Sequence, residues 1–316
     1  MNLPNAPQPI PYQGSKRQQV PVILRYVPKD TDTLWEPFVG SGATTIGAAM
    51  AGAARQFVVG DGLPALAGIW DQILTRPDEL CDAYEALWTA QLADPRPYYD
   101  RIRAEYNEQP RPAHLLYLIA RCVKNAVRFN ADGQFNQSPD KRRLGMKPDL
   151  LRRRVTEVHR VLVGRARAVS RDYSESLREA SQQDVVYMDP PYMGVSGTRD
   201  ARYYQGLDYE RFLSELSSAN DRGISYLVSF DGRCGDRAYG PGLPASLSLE
   251  KIDVHVGRSS QATLNGRTDE TVESLYLSPA LVGRLNARDV QIHSAASVKA
   301  PRLSAAQGSM FNELRL

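Results

Sequence analysis

The stretch QQDVVYMDPPYMG, residues 182–194, runs an apolar segment into an aspartate, two prolines and a tyrosine. The segment DVVYMD is typical of a buried strand, because it is short, apolar and rich in β-branched and aromatic residues. Proline fixes φ and lacks an N–H, so Pro190 and Pro191 end the strand and stiffen the backbone that follows. Ligands of open α/β sheets bind at the carboxyl ends of the strands, which is where this pattern places Asp189.

The four residues DPPY carry groups that suit a primary amine on an aromatic ring. The Asp189 carboxylate and the Pro190 carbonyl can accept hydrogen bonds from the two N–H groups of such an amine. The stiff backbone keeps both acceptors pointing the same way. Tyr192 offers a flat face against which the ring can stack. We therefore predict that Asp189, Pro190, Pro191 and Tyr192 form a catalytic amine clamp.

A second pattern lies near the beginning of the chain, where TLWEPFVGSGATTIGAAMAGA places a strand before a glycine-rich turn and a helix. ARQFVVGD then ends another strand in Asp61, about 20 residues after the turn, where an acid can bind both hydroxyls of a ribose. The turn lacks the G-K-[ST] ending of a phosphate-binding loop and the full three-glycine dinucleotide spacing. The pattern predicts a nucleoside-containing cofactor that is not held by its phosphates.

These patterns predict an α/β protein with a Rossmann-like, doubly wound sheet and an inserted, mostly helical domain. The halves of the sheet are predicted at 1–64 and 181–284, the insertion at 65–180, and a flexible tail at 285–316. Within the insertion, HLLYLIARCVKNAVRF has helical spacing. RFNADGQFNQSPDKRRLGMKP is polar and turn-rich, which predicts a loop or a short hairpin that turns at Asp132-Gly133.

The net charge of +3 is unevenly distributed. Residues 111–180 hold sixteen Lys and Arg against seven Asp and Glu, a local charge of +9, so the remainder of the chain is acidic. Such a region is either a polyanion-binding surface or the solvated charged face of a helical domain. The concentration of charge in one region favours polyanion binding.

Composition indicates the cellular compartment and whether a metal site or a membrane span is expected. Three cysteines, odd in number and far apart, fit a reducing compartment. The four histidines show no metal-ligand spacing, so we expect no metal. No apolar run reaches the roughly 18 residues of a membrane span, and the first residues lack the order of a signal peptide. We expect a cytoplasmic protein.

DPPY, FVGSG, the N-terminal PYQGSKR and the basic insertion resemble, in this order, the Dam-like, alpha-class DNA adenine-N6 methyltransferases. The resemblance extends over residues 9 to about 280. It implies S-adenosyl-L-methionine as the cofactor and a DNA-reading domain inserted between the cofactor half and the catalytic half. It also implies methyl transfer to N6 of an adenine flipped out of double-stranded DNA, and a location on the nucleoid.

The resemblance assigns cofactor-binding positions residue by residue. PYQGSKR resembles the segment that holds the methionine part, EPFVGSG the cofactor loop, and SRDYSES the motif that lines the adenine. After the ribose acid, this chain has Gly62-Leu63 where the family usually has an apolar residue and an asparagine. The implied cofactor residues are Tyr12, Gly14, Lys16, Glu36, Phe38, Gly40, Ser41, Gly42, Asp61, Asp172, Tyr173 and Asp189.

RCVKNAVRFNADGQFNQSP resembles the family's DNA-recognition stretch. Lys124 stands where some relatives place an aromatic wedge, so the wedge is either absent or supplied by Phe129. Arg128, Asn130, Asn136 and Gln137 have groups that can read base edges. Arg121, Lys124 and Asn125 belong to the same DNA-binding stretch, and Lys141, Arg142, Arg143, Arg152, Arg153 and Arg154 are candidates for phosphate contacts.

Two further partners and several alternatives stay open at this stage. QGSMF, residues 307–311, resembles the peptide by which bacterial DNA enzymes dock on the replication sliding clamp; alternatively, Met310, Phe311 and Leu314 pack on the core. A cognate restriction endonuclease is a further expected partner. The alternatives for the activity are methylation of adenine N6 in RNA, methylation of cytosine N4 in DNA, and DNA binding by an inactive relative.

Overall fold

The computed structural model describes residues 6–191, 207–234, 237–239, 242–258, 270–288, 290 and 298–299. Within these ranges, nine strands form one mixed sheet. They are β1 (Thr33–Glu36), β2 (Gln56–Asp61), β3 (Ala166–Ser170), β4 (Val185–Met188), β5 (Tyr226–Cys234), β6 (Arg237–Tyr239), β7 (Glu250–Arg258), β8 (Glu270–Leu277) and β9 (Val298–Lys299).

The strand order is β3-β2-β1-β4-β5-β8-β7-β9, with β6 paired to β5. The first five strands are mutually parallel, β8 is antiparallel to both of its neighbours, and β9 is parallel to β7. The chain leaves β1 for β2 on one side and returns to β4 on the other, which creates a switch point between β1 and β4. Glu36 ends β1, Asp61 ends β2 and Asp189 follows β4, so three acids meet at this edge.

Helices cover both faces of the sheet, because successive side chains of a strand point to opposite faces. Leu34 packs in the same apolar cluster as Ile69, whereas Trp35 packs on the other face with Phe212. The helices are α1 (Val20–Ile23), α2 (Ala43–Ala51), α3 (Pro64–Thr75), α4 (Pro77–Ala90), α5 (Pro95–Glu108), α6 (Pro112–Arg121), α7 (Pro148–Leu162), α8 (Tyr173–Glu179), α9 (Tyr209–Asp221) and α10 (Pro279–Asn286). The α/β class and the Rossmann-like sheet are confirmed.

The helical segment between β2 and β3 is built from α3 to α7, which pack on one another. β3 lies in the sheet although its residues fall within the range 65–180 that the sequence predicted for the insertion. The boundaries predicted for the inserted domain, 65–180, stay a prediction. Among the described helices, none combines the length and the apolar character needed to span a bilayer.

The predicted helix 114–129 is shorter than the apolar spacing suggested, since α6 ends at Arg121. The Asn125 side chain donates to the carbonyls of Ile119, at 2.9 Å, and Ala120, at 3.3 Å, near this end. A tight turn follows, in which Lys124 and Asn125 both have positive φ. The side chain of Asn125 therefore satisfies carbonyls that helix continuation would otherwise use.

The turn-rich stretch after α6 forms a hairpin at the predicted place. Asn130 donates its backbone N–H to the Gln134 carbonyl at 2.8 Å, and Phe129 bridges to Phe135 in antiparallel fashion. Gly133 takes the positive φ of 74° that such a turn needs.

Candidate active site

A pocket of about 220 Å³ lies at the carboxyl ends of β1, β2 and β4. Pro190 and Pro191 form part of its wall. The structure brings eleven of the twelve predicted cofactor residues together as its lining: Tyr12, Gly14, Lys16, Glu36, Phe38, Gly40, Ser41, Asp61, Asp172, Tyr173 and Asp189.

Gly42, the twelfth predicted residue, supports the loop. Gly40 and Gly42 have φ values of 45° and 63°, in the left-handed region that favours glycine. The indole Nε1 of Trp70 donates to the Gly40 carbonyl at 3.1 Å, and Ser41 Oγ donates to Ser15 Oγ at 2.9 Å. The loop is thus fixed from α3 and from the N-terminal segment before any ligand arrives.

Glu36 connects the end of β1 to the beginning of α2. Its Oε2 accepts from the Thr45 N–H at 2.9 Å and from Thr45 Oγ1 at 2.6 Å. The Thr45 N–H lies in the first turn of the helix, where backbone donors lack an intrahelical partner. Glu36 is only 4% exposed, and its burial raises its pKa to about 7 although the Thr45 hydrogen bonds lower it.

Asp61 closes the other side of the cofactor loop. Its Oδ1 accepts the Leu63 N–H at 2.9 Å, so Gly62-Leu63, the departure from the family pattern, forms a turn that holds the acid. Burial raises the pKa of Asp61 to about 6, against the lowering effect of hydrogen bonds from the Leu63 and Gly40 backbones. One carboxylate oxygen is thereby held by a turn that itself lines the pocket.

Asp189 lies across the pocket and pairs with Lys16. The Lys16 Nζ is 3.0 Å from Asp189 Oδ1 and 3.1 Å from Glu273 Oε2. The aspartate side chain is 21% exposed and the lysine 7%. Burial raises the pKa of Asp189 to about 6, and Lys16 counteracts that shift.

The third wall is aromatic. Phe38 stacks on Tyr173 with ring centroids 5.3 Å apart and an interplanar angle of 25°. Asp172 caps α8 by accepting the Ser174 N–H at 3.0 Å. Arg211 Nη2 donates to the same Asp172 oxygen at 2.8 Å, and its guanidinium lies 5.7 Å from the Tyr173 ring centroid.

The charge of the lining residues indicates which ligand charge the pocket favours. The lining includes five carboxyl side chains, Glu36, Asp61, Asp172, Asp189 and Asp208, and two basic ones, Lys16 and Arg211, both of which are ion-paired. An acidic pocket favours a cation and disfavours a polyphosphate. Within the described residues, no cluster of His, Cys, Asp and Glu has the arrangement of a metal site.

The predicted DNA-binding residues divide into two groups by burial. Arg121 is 5% exposed, and its Nε donates to Gln91 Oε1 at 3.1 Å while Nη1 donates to the Asp140 carbonyl. Gln137 is 9% exposed and donates to the Val123 carbonyl at 2.9 Å. These two side chains and that of Asn125 hold the shape of the segment.

The second group faces solvent. Lys124, Asn136, Lys141, Arg142 and Arg143 are exposed, and Arg128 and Asn130 are half-buried. Asn130 accepts two backbone N–H groups in the hairpin turn, from Asp132 at 3.1 Å and from Gln134 at 2.8 Å. On α7, Arg152 pairs with Asp78, Asp82 and Glu85, Arg154 donates to the Gln8 carbonyl, and Arg153 is exposed.

Tyr192 and the tail peptide Gln307 to Phe311 lie outside the described residues. Sequence patterns missed Trp70, Arg211 and Glu273, which contact the site from α3, α9 and β8. No local pattern marks Arg211, and Glu273 lies in a stretch that resembles the family's final motif without standing out within it, because each acts through a partner distant in sequence. A tryptophan on the apolar face of the helix after the ribose acid was the one available signal, for Trp70.

The sequence-family model of the D12 class of N6 adenine-specific DNA methyltransferases matches residues 12–231, well over half of the chain. A type II methyltransferase of Lactococcus lactis subsp. cremoris is 23% identical over 281 residues, which cover 84% of this chain and 94% of that protein. DNA adenine methylases of Vibrio cholerae and Escherichia coli are each 25% identical, over 69% of this chain and 79% and 78% of their own lengths.

Proposed function

Because the chain belongs to the D12 class of N6 adenine-specific DNA methyltransferases, we propose that it methylates N6 of an adenine flipped out of double-stranded DNA, with S-adenosyl-L-methionine as the donor. One observation carries this proposal: Glu36, Asp61 and Asp189 line the same pocket. Glu36 and Asp61 are the last residues of the neighbouring strands β1 and β2, and Asp189 follows β4. A ribose acid and an amine acceptor share that pocket, so donor and target can meet there.

The residues present fit the cofactor. Asp61 would bind the ribose from the end of β2, and the stacked rings of Phe38 and Tyr173 would contact the adenine. The acidic lining suits a sulfonium cation. When bound, the cofactor supplies an electrophilic methyl group. Tyr12, Gly14 and Lys16 would hold the methionine part.

Asp189 and Pro190 carry the chemistry of the target amine. An Asp189 oxygen and the Pro190 carbonyl oxygen accept hydrogen bonds from the two N–H groups of the amine. These bonds turn the nitrogen lone pair out of conjugation and toward the methyl group. Alignment of this kind contributes several kcal/mol to catalysis, on the order of 7 to 11 at most. Tyr192 stacks on the flipped base, and no covalent enzyme intermediate is required.

The exposed part of the recognition segment is proposed to hold the DNA. Lys124, Lys141, Arg142 and Asn136 are exposed, which supports phosphate contacts by the three basic residues and a base-edge contact by Asn136. Flipping costs about a few kcal/mol, which stacking and the two amine hydrogen bonds must offset.

The test is expression in a host that lacks adenine methylation, followed by single-molecule sequencing of its DNA. The wild-type protein should place N6-methyladenine in one short motif, and Asp189→Asn should abolish it. Asp253→Asn, a surface control that removes a charge paired with Arg233, should leave it intact. Methylcytosine in the DNA, methyladenine confined to RNA, or an unmodified host with a folded protein would each reject the proposal.

We also propose two protein partners. Gln307 to Phe311 is proposed to dock on the replication sliding clamp, and deletion of 307–316 should then abolish a pull-down by purified clamp. Equal capture with and without the peptide would refute it. A cognate restriction endonuclease is proposed from the likeness to a type II methyltransferase, and the nucleoid within the cytoplasm is the proposed location.

A further inference from the structure

Lys16 joins two carboxylates from opposite ends of the chain. Its Nζ lies 3.0 Å from Asp189 Oδ1 and 3.1 Å from Glu273 Oε2, and its side chain is 7% exposed. Asp189 follows β4 and Glu273 lies on β8, on opposite sides of β5 in the sheet. When all three groups are ionised, the buried Lys16 ammonium is therefore shared between two carboxylates.

Glu273 is itself held in place. Gln19, 4% exposed, donates its Nε2 to Glu273 Oε2 at 2.9 Å. Gln19 directly precedes α1, so the segment that supplies Lys16 also fixes the glutamate. A residue needed only to neutralise Lys16 would not require this second bond, because Asp189 already provides a negative charge.

The arrangement matters for the amine acceptor. A lysine paired with Asp189 alone would lower the basicity of that carboxylate and compete with a substrate amine for its oxygens. A second carboxylate at equal distance gives the ammonium another partner. Asp189 can then release part of its bond to Lys16 when an amine arrives.

We propose that Glu273 is a positioning residue of the amine clamp, which shares Lys16 so that Asp189 can bind the target amine and take up its proton. This inference rests on the proposed function. As N6 forms its bond to the methyl carbon, the electrons of the broken C–S bond stay on sulfur and the nitrogen becomes positively charged. One N–H proton then passes to an Asp189 oxygen and on to solvent.

Among the residues that the structure describes, four titratable groups face Asp189: Lys16 from the N-terminal segment, Glu273 from β8, Glu36 from β1 and Tyr187 from β4. Burial raises the pKa of Asp189, Lys16 lowers it and Glu273 raises it. Burial keeps Tyr187 neutral, because its pKa is raised well above the ordinary value. Removing the charge of Glu273 should therefore lower the pKa of Asp189.

The first experiment measures single-turnover methylation of DNA by Glu273→Gln between pH 5 and 8. Gln is isosteric and keeps an acceptor for Gln19 and Lys16. The acid limb, on which Asp189 ionises, should move about one unit lower in pH, and the plateau should fall. Glu273→Asp should restore the wild-type limb, and the control Asp253→Asn should not move it. A lower plateau with an unmoved limb would show a structural role alone and overturn the proposal.

The second experiment needs no turnover. A ¹³C NMR titration of the aspartate carboxyl carbons, without cofactor or DNA, follows Asp189, whose signal is identified by its loss in Asp189→Asn. The pKa of Asp189 should fall in Glu273→Gln and stay unchanged in Asp253→Asn. An unchanged pKa in Glu273→Gln refutes the coupling whatever the methylation data show. A coupled titration in a protein that methylates no DNA would reject the proposed function instead.

Discussion

Gly42 lies against the indole ring of Trp70, so closely that a Cβ at position 42 would be 2.2 Å from Trp70 Cζ2. The same indole donates to the Gly40 carbonyl at 3.1 Å. One side chain of α3 thus requires glycine at position 42 and also fixes the cofactor loop. Since Trp70 is fully buried, it cannot move aside without opening the core.

Gly42→Ala should therefore unfold or distort the loop, whereas Gly52→Ala is its matched control. Both glycines flank α2 with φ near +64°, at 63° and 65°, but a Cβ at Gly52 would meet nothing within 4 Å. Gly52→Ala should cost only the left-handed backbone penalty, about 1–2 kcal/mol. Gly42→Ala should cost clearly more and abolish cofactor binding, as measured by chemical denaturation and calorimetry. Equal losses would contradict the role of Trp70.

The ligand-free protein should be more stable at pH 6 than at pH 8. The pKa of Glu36 is raised by burial from 4.5 to about 7. Between these values the native state binds a proton that the unfolded chain does not, so the free energy of unfolding falls as pH rises through 7. Asp61 and Asp189, each raised to about 6, act in the same direction at lower pH.

Glu36→Gln isolates the Glu36 share of this effect. The variant should raise Tm at pH 8 by on the order of 4 °C and leave it nearly unchanged at pH 4, below the unfolded pKa of 4.5, where Glu36 is protonated in both the native and the unfolded chain. Differential scanning calorimetry at both pH values measures it. A change of equal size at both would mean that hydrogen-bond geometry, and not charge, is responsible.

Arg211→Gln should weaken cofactor binding by roughly tenfold, because Asp172 loses its charged partner and the Tyr173 wall loses its neighbour. Arg178→Gln is the control. Arg211 and Arg178 both donate to Ser174 Oγ, at 2.9 and 2.7 Å, but Arg178 does not line the pocket. Isothermal titration with the cofactor should show unchanged affinity for the control, and equal weakening of both would assign the effect to α8 stability.

Lys141→Ala combined with Arg142→Ala should lower DNA affinity and reduce the slope of log affinity against log salt by about 2, since both residues are exposed. Arg152→Ala should leave the slope unchanged, because Arg152 already pairs with Asp82 and Glu85. Fluorescence anisotropy at several salt concentrations measures the slopes. A slope altered as strongly by Arg152→Ala would place the DNA along α7 instead.

Local patterns were sufficient to predict the pocket because its parts stand at strand ends. The turn at Gly40 and the acids Asp61 and Asp189 each follow a short apolar strand, and parallel strands bring their carboxyl ends together. The contacts of Lys16 with Glu273 and of Arg211 with Asp172 could not be predicted in this way. They depend on how β8 and α9 pack, which no local spacing encodes.

The basic region shows a different kind of limit. Its charge was interpreted as a polyanion surface, but the guanidinium groups of Arg165, Arg167 and Arg171, on or beside the edge strand β3, lie over Phe57 and Trp35 of the neighbouring strands β2 and β1. Alternating small and basic residues thereby concealed β3, since arginine stems can cover aromatic surface. Arg121 was predicted to contact DNA because it belongs to the stretch that resembles the family's DNA-recognition segment, but it is buried and hydrogen-bonded within the protein.

The Gln13 backbone N–H donates to the Asn125 carbonyl at 3.0 Å, which ties the pocket wall to the tight turn after α6, within the predicted DNA-recognition stretch. Val127, two residues further on, lines the same pocket. Under the proposed function, a displacement of this segment on DNA would therefore reach the proposed donor pocket through the Gln13–Asn125 contact and through Val127. By thermodynamic reciprocity, whatever DNA binding does to cofactor affinity, the cofactor does to DNA affinity by the same factor.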